Sequence, residues 1–469
     1  MRRPWRSVII RVATLECSPG GHGLDQRYDT RLLGLDGVEV VSVVLDEFGD
    51  PMLALVTAAD AVRCCPGCGQ VSRHPHSWVR TCARDLPAVG RRMALTWAKR
   101  RWRCRNPACG RATFTEHVPQ IPPRHRLTVR LRQAAGAAVG DGGRTVEQSA
   151  RDHAVSWPIV NAAVHAHAAH ALPAADPRIE AMGIDEIRRG KPRWRWNELA
   201  GAWDAAVDRW HVGFVDLTGG AGLLGQVEGR NAACVSAWID EHGQTWREAV
   251  AFVAIDMCSI FKAAIRQSLP HATVIVDRFH VAQLANQAVK DVRRRVTMQQ
   301  RARRGRKGDR EWELRNRLTR SAARTPARLL DPMVDDLKAL PKAIGAPILT
   351  AWTCKEDLMD LLALMHTHPL RAEIYRRLER FYDSCAASGL PELERLAQTV
   401  STWRNEIIAG ITTGISNAGS EGHNRVIKTD ARCAYGYRNP VNQRVRTRLA
   451  TTRRGRGCLQ GINRTEPGT

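Results

Sequence analysis

The chain has no uninterrupted apolar run of ~18 residues, the length at which a transmembrane helix becomes a candidate. Nor does its N-terminus resemble a secretory signal. Arg11 and Glu16 interrupt the short apolar stretch there, and no small-residue cleavage site follows it. We therefore expect a cytoplasmic protein with no membrane partner.

Acidic residues are also scarce. The 469 residues include 47 Asp and Glu against 71 Lys and Arg, a net charge of +24. This charge indicates a polyanionic partner, and most of the cations are arginines, which suit bidentate contacts with phosphate and guanine. The charged and hydrophobic fractions, 25% and 43%, are ordinary and exclude wholesale disorder. The length predicts about two to four domains.

The thirteen cysteines are an odd number and mostly stand alone, which favours reduced thiols over a disulfide framework. Two close pairs are the exception, Cys65 with Cys68 and Cys104 with Cys109. Two such pairs on tight turns, joined by strands, match a tetrahedral zinc site. The sequence therefore predicts one structural zinc ion. Weaker alternative ligands lie nearby: Cys64, Cys82, His74 and His76.

Basic residues and tryptophans alternate around this cysteine cluster, which is typical of a zinc ribbon that binds nucleic acid. Arg100, Arg101 and Arg103 are the predicted DNA contacts. The alternative interpretation is a solvated basic face.

Three segments of helical spacing follow between residues 127 and 167, with a tight turn at 155–156 before the last. This arrangement predicts a helix-turn-helix, whose last helix enters the major groove. Trp157 and Asn161 on that helix are predicted to contact DNA. A plain three-helix bundle is the alternative.

From residue 178 the pattern becomes three strands, a helix, and then alternating strands and helices, the order of a ribonuclease H-like fold. Asp185 and Asp256 end two apolar strands, so their side chains should project into one crevice. Adjacent carboxylates repel each other unless a cation lies between them, and Mg²⁺ prefers oxygen ligands. Glu421 opens a later helix after a glycine-rich stretch and is the candidate third acid. Taken singly, each strand-end acid could instead cap a loop.

Several stretches resemble the ISL3 family of bacterial insertion-sequence transposases: GIDE at 183–186, IDM at 255–257, VDRFH at 276–280, GISNAGSEGHNRVIK at 414–428 and AYGYRN at 434–439. A zinc ribbon and a helix-turn-helix precede the catalytic domain in that family too. The resemblance runs from about residue 31 to 450.

The resemblance implies a DDE transposase, in which Asp185, Asp256 and Glu421 bind two Mg²⁺ (or Mn²⁺) ions. It implies a supporting role for Asp277 and His280, and Asp277 remains a rival to Asp256 as the second acid. It also implies cleavage of element ends, strand transfer into target DNA, and at least a dimer on double-stranded DNA at the bacterial nucleoid. Further DNA contacts are expected from three residues: Asn424, Lys428 and Arg438.

The predicted fold is a multidomain α/β protein with a mixed-sheet catalytic domain and a large all-helical insertion. Its segments are a basic tail (1–30), a zinc-ribbon DNA-binding domain (31–120), a helix-turn-helix (121–175), the first part of the ribonuclease H-like core (176–296), the helical insertion (297–410), the part of the core that carries the glutamate (411–450) and a basic tail (451–469).

Two alternatives remain open. Trp194 and Trp196 are interpreted as surface aromatics of a strand, with stacking on an unpaired base as the other possibility. The chain could also be a transposase-derived DNA-binding regulator that no longer cuts. The presence of all three acids argues against that.

Overall fold

The computed structural model describes residues 26–58, 63–172, 177–207 and 209–457. The chain divides into two compact units. The first runs to Ala138 and includes Val146–Ala163, and the second comprises Val139–Thr145 and the chain from Val164 onward. Among the described helices, none combines the length and apolarity needed to cross a bilayer.

The first unit is built on a sheet with strand order β1-β2-β4-β3, to which β5 adds beside β4. Apolar side chains alternate along its long strands, so that Leu55, Leu95 and Trp97 lie buried in one core. The elements are α1 (Gln26–Leu33), β1 (Val38–Leu45), β2 (Pro51–Thr57), β3 (Pro75–Ala88), β4 (Arg91–Arg103) and β5 (Thr113–Thr115). Helix α1 begins inside the segment predicted to be a basic tail, and residues 1–25 lie outside the described residues.

Three helices follow in the order predicted for a helix-turn-helix: α2 (Val129–Gly140), α3 (Val146–Asp152) and α4 (Trp157–Ala171). Ser149 Oγ donates a hydrogen bond to the Ala135 carbonyl and joins α3 to α2. Ala154 takes a left-handed φ of 52° in the tight turn before α4. Residues 173–176, which follow α4, lie outside the described residues.

The second unit contains the predicted mixed sheet. Its elements through the first long helix are β6 (Ala181–Arg188), β7 (Arg193–Asn197), β8 (Ala202–Val207), β9 (Trp210–Asp216), β10 (Leu223–Glu228), α5 (Ala232–Asp240), α6 (Gln244–Ala249), β11 (Phe252–Ile255), α7 (Ser259–Ser268), β12 (Thr273–Val276) and α8 (Arg278–Arg301). The strand order is β10-β9-β6-β11-β12. Strands β10, β9 and β6 pair antiparallel, and β6, β11 and β12 pair parallel, which is the ribonuclease H-like arrangement.

Two features of this sheet differ from the expectation. Strands β7 and β8 form a separate two-stranded ribbon between β6 and β9. The apolar segment predicted as one strand over 249–256 is shorter, because α6 occupies its beginning and β11 covers only Phe252–Ile255.

The remainder of the described chain is helical: α9 (Arg310–Glu313), α10 (Ala327–Ala339), α11 (Lys342–Leu362), α12 (Arg371–Ser388), α13 (Pro391–Thr402), α14 (Arg404–Thr413), α15 (Ala418–Cys433) and α16 (Pro440–Thr452). Helix α8 is continuous across the boundary predicted at 296. Helix α16 likewise extends past residue 450, so the segment predicted as a C-terminal tail begins as helix. Residues 458–469 lie outside the described residues.

One apolar core joins the mixed sheet to these helices. Ile184 and Ile255 from the central strands belong to the same buried cluster as Val289 of α8, Leu358 of α11 and Phe381 of α12. The helical segment is therefore packed onto the sheet domain and does not stand apart from it, and the backbone ends of β6 and β11 rest on a rigid base.

Candidate active site and zinc centre

Four cysteine sulfurs converge at one end of the first unit. The Sγ atoms of Cys65 and Cys109 lie 3.9 Å apart and those of Cys68 and Cys104 3.7 Å apart, and all four lie within 4.8 Å of one another. A tetrahedral zinc ion with Zn–S bonds of about 2.3 Å separates its sulfurs by about 3.8 Å. The four thiols therefore fit Zn²⁺.

The first loop favours a thiolate at Cys68. The Gly67 N–H points at Cys65 Sγ over 3.4 Å. A hydrogen bond from the Gln70 backbone is the main reason why the pKa of Cys68 falls to about 7. Amide donors of this kind favour the charged sulfur that zinc requires. At Cys104, despite a hydrogen bond from the Asn106 backbone, burial and the neighbouring Cys68 sulfur raise the pKa to about 12. A Cβ on Gly67 would approach Cys109 Sγ to 3.2 Å, so this turn suits glycine.

The weaker ligand candidates do not join the cluster. In the part of the chain that the structure describes, these four cysteines form the single group of three or more His, Cys, Asp or Glu ligands that converges closely enough to hold a metal ion. Cys64 instead pairs its backbone with Val71 in an isolated bridge.

The second unit places two acids side by side. Strands β6 and β11 are parallel neighbours in which Ile184 pairs with Ile255, so the next residues are Asp185 and Asp256. Asp256 directly follows β11 as predicted, but the prediction that Asp185 ends its strand is wrong, because β6 continues to Arg188 through its pairing with β9. The apolar residues before them are buried, which fixes the backbone that carries the carboxylates. Burial, and then the charge of Asp256, raises the pKa of Asp185 to about 6. The two carboxylates are therefore close enough to repel each other.

His280 joins this pair to a third acid. Its Nε2 lies 3.0 Å from Asp256 Oδ2 and its Nδ1 lies 3.5 Å from Asp277 Oδ2. Asp277 follows β12 and occupies the N-cap position of α8 without a side-chain capping hydrogen bond, and His280 lies in that helix's first turn. Hydrogen bonding to Asp256, and then to Asp277, raises the pKa of His280 to about 10. In the metal-free protein the imidazole is therefore a cation between two carboxylates.

Helix α15 packs directly on β6. Asn417 Nδ2 donates to the Ile184 carbonyl over 3.3 Å, and Asn424 Nδ2 donates to Asp185 Oδ2 over 2.6 Å. A Cβ on Gly183 would come closer than 3.0 Å to both Ser420 Oγ and Asn417 Oδ1. The glycine of the GIDE motif is therefore what lets this helix approach the strand.

The structure revises the interpretation of Asn424. The sequence places it among the DNA contacts, but its side chain is 8% exposed and holds a carboxylate of the acid pair. Residues 417, 420 and 424 share one face of α15 by helical spacing. That spacing was available in the sequence, but which neighbour the face covers depends on tertiary packing.

Glu421 lies on the same helix, one turn before Arg425. Its Oε1 accepts a hydrogen bond from Arg425 Nη2 over 2.6 Å, and its side chain is 50% exposed. The structure thus brings Asp185, Asp256, Asp277 and His280 together and leaves the Glu421 carboxylate turned to Arg425. Exposed i,i+4 ion pairs contribute only ~0.3–0.5 kcal/mol, so this pairing is a weak restraint on the side chain.

A divalent cation fits the acid pair. Asp256 Oδ1 is buried and has no hydrogen-bond partner among the described residues. Buried carboxylate oxygens are normally satisfied, and an orphaned one beside a second carboxylate suits a hard, oxygen-seeking ion. Asp185 and Asp256 are the residues that would hold such an ion.

The remaining predicted DNA contacts lie at or near the surface of their own units. Arg101 and Arg103 are exposed on β4, and the Arg100 guanidinium stacks over the Trp78 ring. On α4, Trp157 is exposed and Asn161 is half-buried. In the second unit, Lys428 and Arg438 are exposed.

Three family models match the chain in succession. One described as the zinc-finger of transposase IS204/IS1001/IS1096/IS1165 matches residues 61–109. A helix-turn-helix domain of transposase family ISL3 matches 116–168, and an ISL3 DDE model described as Transposase matches 182–447.

The chain is 26% identical over 423 residues to the transposase for insertion sequence element IS1001 of Bordetella parapertussis, covering 89% of this chain and 96% of that protein. Among solved structures, the Drosophila P element transposase strand transfer complex matches 62% of this chain and 80% of that chain, with 7% identity and a TM-score of 0.31. That likeness is too weak to support an argument. The three family models follow one another in the order of the zinc ribbon, the helix-turn-helix and the mixed-sheet domain. The DDE model alone covers more than half of the sequence. This chain therefore belongs to the ISL3 family of insertion-sequence transposases.

Proposed function

We propose that this transposase cuts DNA at the ends of its insertion sequence and joins the freed 3′ ends to target DNA, using divalent cations, Mg²⁺ or Mn²⁺. The observation that carries this proposal is the pair of adjacent carboxylates, Asp185 inside β6 and Asp256 directly after β11, together with the buried Asp256 Oδ1, which has no hydrogen-bond partner among the described residues. Two such cations, when bound, activate an attacking oxygen and stabilise the leaving oxygen at phosphorus.

Each carboxylate of the pair has a partner that sets its orientation. Asn424 donates to Asp185 Oδ2, and His280 lies against Asp256 Oδ2. Each contact uses only the Oδ2 atom of its carboxylate. Asp185 Oδ1 accepts a hydrogen bond from the Glu186 N–H, and Asp256 Oδ1 is left for a metal ion. Outer partners of this kind usually tune metal affinity and activity.

Glu421 is the third acid of the proposed set. Its position on α15, between Asn417 and Asn424, keeps it within a turn of the two residues that tie this helix to β6. The weak ion pair with Arg425 lets its side chain exchange partners at small cost. We assign Glu421 to the metal site in the DNA-bound state.

The proposed reaction has two balanced steps. In the first, water attacks the phosphorus at the element boundary, the bond from phosphorus to the 3′ oxygen breaks, and a 3′-hydroxyl and a 5′-phosphate remain. In the second, that 3′ oxygen attacks a target phosphorus and displaces a target 3′ oxygen, so one phosphodiester bond forms as another breaks. The carboxylates act throughout as ligands and orienting groups.

The first unit supplies end recognition in this proposal. The zinc ribbon presents Arg100, Arg101 and Arg103, and the last helix of the helix-turn-helix presents Trp157 and Asn161 to the major groove. Joining two ends requires at least two copies of the chain on DNA. We place this activity at the bacterial nucleoid, on the element that encodes the chain.

The experiment that tests the proposal separates cutting from binding. Duplex DNA carrying the terminal repeats that flank the gene is incubated with wild type and with Asp185→Ala, in Mg²⁺ and in EDTA. We expect boundary nicks from wild type in Mg²⁺ alone, with end binding retained by the variant. Specific binding without nicking by wild type would instead identify a DNA-binding regulator.

A further inference from the structure

The mixed-sheet domain also carries a two-stranded ribbon, which the family assignment does not explain. It consists of β7 and β8, and we call it the tryptophan ribbon. Trp196 and Trp203 are cross-strand partners whose rings lie 5.5 Å apart at 67°. Trp194 lies two residues from Trp196 and therefore shares its face. The three indoles are 57%, 47% and 63% exposed in chain order, so this face is largely open to solvent.

The base of the ribbon opens onto a cavity lined with arginines. Strands β6 and β9 end there with Arg188 paired to Trp210. The guanidinium groups of Arg188 and Arg230 stack over the Trp210 ring at 4.6 and 4.5 Å. We call the cavity the arginine pocket; its volume is about 690 Å³ and its charged lining residues are Arg189, Arg209, Arg230, Arg438 and Glu228.

The charges of this pocket favour an anion. Four guanidinium groups line it against one carboxylate, and a second carboxylate outside the lining, Glu186, pairs with Arg230 over 3.1 Å. Glu228 is already engaged, since Arg189 Nη1 and His211 Nε2 lie 3.3 and 3.4 Å from its Oε1. Burial is the main reason why the pKa of Arg189 is lowered; Glu228 opposes this shift, and the charges of Arg209 and Arg444 add a smaller contribution to it. An added phosphate would relieve the repulsion between these cations.

The pocket is also close to the acid pair. Arg188 lies three residues after Asp185 on the same strand, and a strand rises about 3.3 Å per residue, so about 10 Å separates their backbones. A DNA strand with a phosphate at the acids would reach the pocket within a few nucleotides.

We propose that the arginine pocket and the tryptophan ribbon bind unpaired DNA next to the cut, with the pocket holding a phosphate and the indole face stacking on exposed bases. Exposed indoles beside guanidinium groups are the combination that binds single strands, because every base offers a π-face and every nucleotide a charge. Bases inside a duplex are already stacked and cannot cover this face. The proposal rests on the proposed function, since it places a separated strand beside the catalytic acids.

The test measures binding without catalysis. A fluorescently labelled single strand of about 16 nucleotides is titrated with full-length protein in EDTA, and the terminal-repeat duplex is titrated in parallel. Trp196→Ala is expected to weaken single-strand binding about 5- to 150-fold and to leave duplex binding unchanged. Trp196→Phe should restore most of the affinity. Leu199→Ala, at a fully exposed site in the turn of the same ribbon, is the matched control and should change neither titration.

The pocket has its own readout. Arg209→Gln should reduce the dependence of log affinity on log salt for the single strand by about 0.7, the amount expected for one lost phosphate contact.

Equal loss of single-strand and duplex binding in Trp196→Ala, or no loss in either, would overturn the proposal. So would a change in self-association caused by that substitution, which would identify the indole face as a contact between copies of the chain.

These outcomes can be separated from failure of the proposed function. If wild type nicks repeat ends in Mg²⁺ while Trp196→Ala binds single strands normally, the function stands and the ribbon proposal falls. If Trp196→Ala weakens single-strand binding as expected while wild type does not nick repeat ends, the ribbon proposal stands and the proposed function falls.

Discussion

His280 Nε2 lies 3.0 Å from Asp256 Oδ2, although Asp256 follows β11 and His280 lies in the first turn of α8. The other ring nitrogen faces Asp277 at 3.5 Å. These contacts show that the two candidates for the second catalytic acid occupy different positions. Asp256 is adjacent to Asp185, whereas Asp277 lies on the other side of the imidazole ring. We therefore assign Asp256 to the metal and Asp277 to the orientation of His280.

The two acids should respond differently to loss of charge. Asp256→Asn is expected to abolish nicking, because it removes one of the two adjacent metal-binding carboxylates. Asp277→Asn should lower nicking about 10- to 100-fold, the usual effect of losing an outer partner of a metal site. Rates measured across a Mg²⁺ titration check this, and high Mg²⁺ should recover part of the Asp277→Asn activity. The reverse order of severity would make Asp277 the second catalytic acid.

The metal-free protein should carry a protonated His280 at neutral pH. Its pKa is raised from 6.5 to about 10 by hydrogen bonds to Asp256 and then Asp277. A raised pKa stabilises the folded state fully below about pH 6.5, and this stabilisation is lost as the pH rises through about 10. NMR titration of labelled histidine in EDTA measures it, and Asp256→Asn should lower the pKa. Titration of His280 near 6.5 in the wild type would contradict its contacts with Asp256 and Asp277.

Gly183→Ala tests the close approach of α15 to β6. The new Cβ would come closer than 3.0 Å to Ser420 Oγ and Asn417 Oδ1, so either these side chains or the helix that carries Glu421 and Asn424 must shift. We expect a loss of about 1–3 kcal/mol in the free energy of unfolding, as for overpacked cores, and a larger proportional loss of nicking. Gly422→Ala on the same helix meets nothing within 4 Å and is the control. Denaturant unfolding and nicking rates measure both effects, and equal behaviour of the two variants would show that this approach is unimportant.

The zinc centre should be required for end recognition. Cys68→Ser removes one of the four converging sulfurs, and because metal binding and folding are coupled in such small domains, we expect zinc and repeat binding to be lost together. Elemental analysis and gel shifts measure this. Cys82→Ser, at an exposed cysteine outside the cluster, should keep one zinc ion per chain. Full zinc retention by Cys68→Ser would contradict the four-cysteine assignment.

The sequence predicted the parts of the fold whose patterns are local. The cysteine spacing, the three helices after it and the order of strands and helices along the mixed-sheet domain follow from short-range signals, and the structure confirms them. Strand patterns alone did not decide the ribonuclease H-like fold, which was predicted from the placement of the acids and is confirmed by the strand pairing. Strand β11 was predicted too long because a continuous apolar stretch does not distinguish the end of α6 from the start of a buried strand.

Longer-range features were not predictable in this way. The tryptophan ribbon has exposed indoles and no strong burial pattern, so the sequence alone did not decide between surface aromatics and stacking on an unpaired base. The contact between Asn424 and Asp185 joins residues far apart in the sequence and depends on Gly183 admitting the helix. The pairing of Glu421 with Arg425, in place of the acid pair, likewise depends on side-chain conformation.

The assignment of Glu421 to the metal site is the central claim, because the structure leaves this carboxylate paired with Arg425. The most direct measurement is nicking of terminal-repeat DNA by wild type, Glu421→Gln and Arg425→Ala, each in Mg²⁺ and in EDTA. The account predicts boundary nicks from wild type and Arg425→Ala in Mg²⁺ alone, and none from Glu421→Gln, which should still bind the repeats. Metal-dependent nicking by Glu421→Gln at the wild-type rate would contradict it.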